Sequence, residues 1–210
     1  FDIDSLSGGS PFPPESVSDA GTLDASSPSK LPPASGLVAY WALDDQGDVA
    51  KDTTGRNDGV IRMATSIVGR VGRALRFTTG SCVGVPESPS LTSMSGGGAL
   101  TMMSWVRYDG GCTAPGMPGN CYWAHIVAKG GAYSHAVQCG SMPYYQETIA
   151  TTQDGSWTHY GSGSSMTVGA WHHGATTWNG AVVRHYIDGG RGFDERPLGG
   201  VLGDPAPQGL

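Results

Sequence analysis

The sequence predicts an all-β protein. Glycine at 34 positions and proline at 14 supply turns along the whole chain, while charged residues make up only 14% of it. A helical protein would carry more Ala, Leu, Glu and Lys. No stretch sustains apolar residues at helical spacing; the apolar runs are short and end at Gly, Asn, Asp or Ser, which is the pattern of strands. The 210 residues suffice for one sizeable domain and an appendage.

Residues 1–35 are rich in Ser, Pro, Asp and Gly and lack periodic apolar positions, so they are read as an arm or linker without a core of its own. Within them Phe1, Ile3 and Leu6 form a short apolar/polar alternation that suits a strand. The domain proper is assigned to residues 36–210. Its first apolar run, 36–43, has the length and branched content of a buried strand. The following loop, Asp44 to Gly59, is dense in Asp, Asn, Thr and Gly, all turn formers.

Further strands are expected at 58–62, 73–78, 82–86, 99–108, 122–129, 132–139, 171–178 and 181–187. Along 100–108, Met103, Trp105 and Arg107 share one face and Met102, Ser104 and Val106 the other, and one of the two faces must be core. Asn179-Gly180 is a strong hairpin signal because both residues accept positive φ. A loop at Lys129-Gly130-Gly131 would set Cys121 opposite Cys139 and His125 opposite His135. The C-x-x-x-H spacing is no zinc site on a strand, since four residues span about 13 Å.

Several quoted segments, in this order, resemble the laminin-G-like jelly-roll domain of the concanavalin A-like lectin/glucanase superfamily. They are Tyr40-Trp41-Ala42-Leu43-Asp44, Asp52 to Gly59, and Gly72-Arg73-Ala74-Leu75-Arg76-Phe77. The series continues through Val85-Pro86, Ser88-Pro89-Ser90-Leu91, Ala99-Leu100-Thr101, Ser104-Trp105-Val106, Ile126 to Gly130, Trp171-His172-His173 and Tyr186-Ile187-Asp188-Gly189. The resemblance implies a two-sheet antiparallel sandwich, usually a secreted binding domain. It also implies that Trp171-His172-His173 is a packing feature, in keeping with adjacent strand residues facing opposite ways.

The family's closing C-terminal strand is missing from its expected place. Phe193-Asp194-Glu195 arrives too early, and Arg196-Pro197 is expected to break it. Three explanations stay open: the sequence stops short of that strand, residues 1–6 fold back to fill the gap, or they fill the gap of a second copy by strand donation. The chain begins at Phe1, without Met or a leader, and is read as a processed protein or a fragment.

A net charge of -6, from 12 basic and 18 acidic residues, offers no footprint for nucleic acid or anionic membranes. No apolar run approaches the roughly 20 residues that cross a bilayer. An even set of cysteines, Cys82, Cys112, Cys121 and Cys139, points to export and disulfides. The preferred pairing is Cys112 with Cys121 and Cys82 with Cys139; the alternative pairs Cys121 with Cys139 and Cys82 with Cys112.

Catalysis is not expected. The glutamates, Glu15, Glu87, Glu147 and Glu195, never form the E-x-D-x-x-E of the superfamily's hydrolases, and neither H-E-x-x-H nor G-x-S-x-G occurs. Asp44, Asp52, Asn57 and Asp58 offer hard oxygens suited to a structural calcium, set against simple Asx turns. Tyr144, Tyr145, Trp157, His159 and Tyr160 lie in the least family-like segment and are the candidate sugar-stacking residues. The leading expectation is a secreted, non-catalytic recognition or adhesion module for a glycan or an extracellular protein. The alternatives are a fibre or surface subunit that polymerises through Phe1, Ile3 and Leu6, and a glycoside hydrolase.

Overall fold

A computed structural model describes residues 36–92, 98–110, 123–129, 132–138, 143–150, 157–192 and 195–197. The chain divides into two units, Phe1–Ser35 and Gly36–Leu210. Phe1, Ile3 and Leu6, and with them strand donation, lie outside the described residues, as do Cys112, Cys121 and Cys139.

Two antiparallel sheets make the body of the second unit. The first joins β6 (Leu100–Arg107), β11 (Trp171–Trp178), β12 (Val182–Ile187), β13 (Gly190–Arg191) and β14 (Arg196–Pro197). The second is a meander of β7 (Trp123–Lys129), β8 (Tyr133–Gln138), β9 (Tyr144–Ala150) and β10 (Trp157–Ser165). The chain thus leaves the first sheet after β6, completes the second, and returns to lay β11 beside β6. Ahead of them stand β1 (Val49–Ala50), β2 (Gly59–Arg62) and β5 (Cys82–Gly84) in one small sheet, the hairpin of β3 (Thr65–Val68) and β4 (Arg73–Arg76), and one turn of helix, α1 (Pro89–Thr92).

Alternation along β6 decides which face is core. Leu100 and Met102 pack with Trp178 and Val183 of their own sheet and with Tyr133 of β8, while Val127 of β7 packs against the same group. Val106 and Ile187 join Tyr108, Val137 and Met166 in a second cluster. Both clusters are filled from the two sheets, so the hydrophobic faces of a sandwich meet here. Met103 and Trp105 therefore look outward, 55% and 47% exposed.

Turn chemistry fixes the register. The Asn179-Gly180 hairpin forms, but only Gly180 takes positive φ (85°). Asn179 instead uses its side-chain oxygen to accept from the N–H groups of Ala181 and Val182, an Asx turn. Asp188 (φ 50°) and Gly189 (φ 79°) make the left-handed two-residue turn between β12 and β13.

Four expectations are corrected. Residues 36–43 form no ladder strand; they contribute one bridge, Trp41 to Asp52. The reason is local: side chains of the next loop take the main-chain groups a partner strand would use. The Val38 carbonyl accepts from Asn57 Nδ2 at 3.1 Å, the Leu37 carbonyl from Arg56 at 2.9 Å, and the Tyr40 N–H donates to Asp52 at 2.9 Å. Leu43 then turns away at φ 60°.

His125 does not oppose His135. Lys129 does not open the turn but stays in β7 and pairs with Tyr133, which sets His135 opposite Val127; a bulge at Ile126 then places His125 opposite Ala136. Arg196-Pro197 does not break the C-terminal segment but pairs with Val182-Val183 along the outer edge of β12. An edge tolerates the missing proline N–H. Cys82, exposed on β5, is a free thiol, so neither disulfide pairing that uses it is formed. The sequence reading also missed β1, β3, β9, β10 and β13.

Candidate functional site

The solvent face of the first sheet carries four rows of side chains, read directly from the register. Arg107 lies beside Trp171, and Trp105 beside His173. The row of Met103 and Ala175 continues to Tyr186 and Arg191, and that of Thr101 and Thr177 to Arg184. Strand alternation puts these residues on one side because their core-facing neighbours occupy the other.

Rings dominate the centre. The Trp105 and His173 rings sit 5.3 Å apart between centroids and are tilted by 57°. The Arg107 guanidinium lies 5.4 Å from the centroid of Trp171. Arg70, from the tip of the β3–β4 hairpin, lies over Trp105 at the same 5.4 Å. Such contacts are cation–π pairs, each contributing about 0.5–1 kcal/mol at an exposed site. A tryptophan 47% exposed amid partly buried aromatic residues is an apolar surface kept in water, and a surface of that kind marks a place of contact.

Carboxylates border the face and are already engaged. Asp109 accepts from Arg107 Nε at 2.8 Å and from its terminal nitrogen at 3.2 Å. Burial raises less than this pairing lowers, so the Asp109 carboxyl is held below its usual range by the hydrogen bond to Arg107. Glu195 holds Arg184 at 2.6 Å and also Arg191. Asp188 accepts from the His173 N–H at 2.8 Å and pairs with His172 Nδ1 at 2.7 Å. Burial opposes ionisation of Asp188, yet these two hydrogen bonds outweigh it and lower its pKa. His172 and His173 thus serve opposite sides, as alternation requires: His172 links Asp188 to the Thr167 N–H, and His173 stacks outside.

The loop read as a calcium candidate is organised by its own donors. Asp52, 4% exposed, accepts from the N–H groups of Tyr40, Thr54, Arg56 and Asn57, from the Thr54 hydroxyl and from Asn57 Nδ2. Burial alone would raise its pKa; the bonds from the Thr54 hydroxyl and the backbone prevail and bring it down to about 2. Asp58 accepts from the Asp52 N–H and from Lys51 Nζ, Asn57 Oδ1 from Ser88 and Ser90, and Asp44 from the Arg73 N–H. Asp44, Asp52, Asn57 and Asp58 each brace the loop through these bonds. Among the described residues no three His, Cys, Asp or Glu side chains converge as metal ligands would.

The five candidate stacking residues occupy β9 and β10, where the backbone register divides them. Trp157 pairs with Ala150, and His159 with Thr148, which pairs in turn with Ser134; Tyr144 pairs with Gln138. Tyr160 pairs with Glu147, opposite His135, and Tyr145 pairs with Val137. The register thus sets Tyr144, Trp157 and His159 in rows that alternate with those of Tyr145 and Tyr160. They do not form one row. The outer residues of β6, β11 and β12 went unread as a site because alternation alone cannot say which face of a strand meets the second sheet. The signal available was Trp105 and Trp171, each two residues from an arginine or histidine on the same side.

No protein-family model matches the chain, and no curated protein does. Solved structures do. One is domain 4 of a GH43 extracellular arabinanase from Geobacillus stearothermophilus in complex with arabinotriose, 16% identical, with a TM-score of 0.50 over 81% of this chain and 76% of that one. At that identity the likeness is one of fold, a β-sandwich. Among the described residues no helix is long and apolar enough to cross a membrane.

Proposed function

We propose that the chain is a non-catalytic, extracellular recognition module that binds a glycan on the solvent face of β6, β11 and β12. The observation that carries this reading is the half-exposed Trp105, tilted against His173 and two strand positions from the Arg107–Trp171 pair. Flat rings present π faces to the apolar C–H surface of a sugar, and neighbouring polar groups set its orientation. The likeness in fold to an arabinanase domain solved with arabinotriose supports the same reading.

Binding to soluble arabinan, xylan, galactan and glucan, measured by affinity electrophoresis and calorimetry, tests it. Trp105→Ala is expected to weaken binding at least about tenfold, the equivalent of about 1.4 kcal/mol. Its melting temperature should barely change, since the ring is half exposed. The β9–β10 hairpin is the competing surface, and Trp157→Ala separates the two. Loss on Trp157→Ala with none on Trp105→Ala would move the site to that hairpin, and retention by no polysaccharide would remove the glycan reading.

A further inference from the structure

The chain as a whole is acidic, with a net charge of -6, yet its arginines gather at the aromatic face. Arg107, Arg184 and Arg191 belong to the face itself, Arg70 lies over Trp105, and Arg76 reaches Asp109 at 3.9 Å. Against these five guanidinium groups stand four carboxylates, Asp109, Glu195, Asp188 and, at the Arg70 hairpin, Asp44, each already holding a donor. The face is cationic on an anionic molecule, and its rings sit among the cations.

Arg70 is the most available of the five. Among the described residues it has no carboxylate partner, and its contact is the Trp105 ring. It is nevertheless held in place. The hairpin tip closes through the Gly69 N–H to the Gly72 carbonyl at 3.0 Å, and Asp44 accepts from the Arg73 N–H at 2.5 Å. Gly72 (φ 59°) lies so near Asp44 that an added Cβ would sit 2.4 Å from its Oδ1. A planar guanidinium above a ring leaves its N–H edges free, and those edges match a carboxylate in a bidentate pair.

Resting on the glycan reading above, we propose that the ligand is a carboxylate-bearing polysaccharide, a uronic acid polymer whose sugar rings contact Trp105 and His173 while a carboxylate pairs with Arg70. A uronate chain alternates single negative charges with apolar C–H faces, the same alternation that this face offers in complement. A densely charged phosphate polymer would gain from the arginines but meet the repulsion of the remaining acidic molecule.

Affinity electrophoresis of the whole chain, with wild type, Arg70→Gln and Trp105→Ala, in gels containing polygalacturonate, its carboxyl-reduced neutral form or duplex DNA, tests this. The wild type is expected to be retarded by polygalacturonate at least about tenfold more strongly than by the reduced polymer, and less so from about 50 to about 500 mM NaCl. Arg70→Gln should lose that preference while keeping the weaker binding to the reduced polymer, and Trp105→Ala should lose both. Equal retention by charged and reduced polymers, with Arg70→Gln unchanged, overturns the acidic-sugar inference and leaves the glycan reading standing. Retention by DNA as strong as by polygalacturonate also overturns it, by showing a general polyanion surface. Retention by neither polysaccharide overturns both readings.

Discussion

Replacing Asp52 by alanine is expected to cost about 4 kcal/mol of folding stability, the sum of several donors left without an acceptor in a buried place. The carboxylate ties Tyr40 to the loop that follows it and receives backbone N–H groups of Tyr40, Thr54, Arg56 and Asn57. At 4% exposure the carboxylate is shielded from solvent, so its donors have it as their main acceptor. Asp52→Asn keeps the shape but turns one acceptor into a donor facing donors, and should cost about half as much. Denaturant unfolding measures both, and a loss below about 1 kcal/mol for the alanine variant would contradict the assigned role.

The same carboxylate sets an acid limb. Its folded pKa of about 2 lies below the ordinary aspartate value of 3.8, so its contribution is complete above the unfolded pKa and is lost as pH falls from about 5 through 2. The linked stabilisation is about 2 kcal/mol, and Asp52→Asn should flatten that part of the stability profile. An unchanged acid limb would remove Asp52 as its source.

The second large effect is asymmetric. Lys129, in β7, is 1% exposed and pairs with Glu87 at 2.6 Å, whereas the Glu87 side chain is 37% exposed. Removing the glutamate by Glu87→Ala buries a cation without that carboxylate and is expected to cost about 3 kcal/mol. Removing the lysine by Lys129→Met takes away the buried cation and leaves a carboxylate that water can reach, so it should cost under about 1 kcal/mol. Nearby Tyr133 is pushed up to about 12, by burial first and by the Glu87 charge second, and stays neutral at any ordinary pH. Equal losses from the two substitutions would mean that the pair is hydrated.

Much of the fold was legible because local rules and burial agree. Leu100–Arg107, Trp171–Trp178 and Val182–Ile187 read as strands from alternation and turn residues, and the sandwich brings them together. Leu37 to Leu43 read as a strand for equally good local reasons, but its main chain is taken by Asp52, Arg56 and Asn57 side chains, a tertiary choice that composition does not announce. Lys129 pairs with Tyr133 instead of opening the turn, which moves His135 two residues along β7 to Val127 and undoes a predicted pair. Tyr144–Ala150 and Trp157–Ser165 escaped because Gln, Glu, Gly and Ser dilute their apolar pattern.

The site was the harder part. Met102 and Met103 are equivalent in sequence, so nothing in β6 itself tells that Trp105 faces water. The arginines at 70, 76, 107, 184 and 191 come from distant segments and meet only through pairing, while the net charge of -6 points the opposite way. Asp and Asn serve calcium and Asx turns with the same oxygen atoms, so composition alone does not separate the two roles in the acidic loop.

Amide and indole chemical-shift mapping during titration with whichever polysaccharide the chain retains tests the binding face most directly. The account predicts that the shifts cluster on Met103, Trp105 and Arg107 of β6, on Trp171 and His173 of β11, and on the Arg70 hairpin tip. Shifts confined to β9 and β10, with the Trp105 indole unmoved, would contradict it.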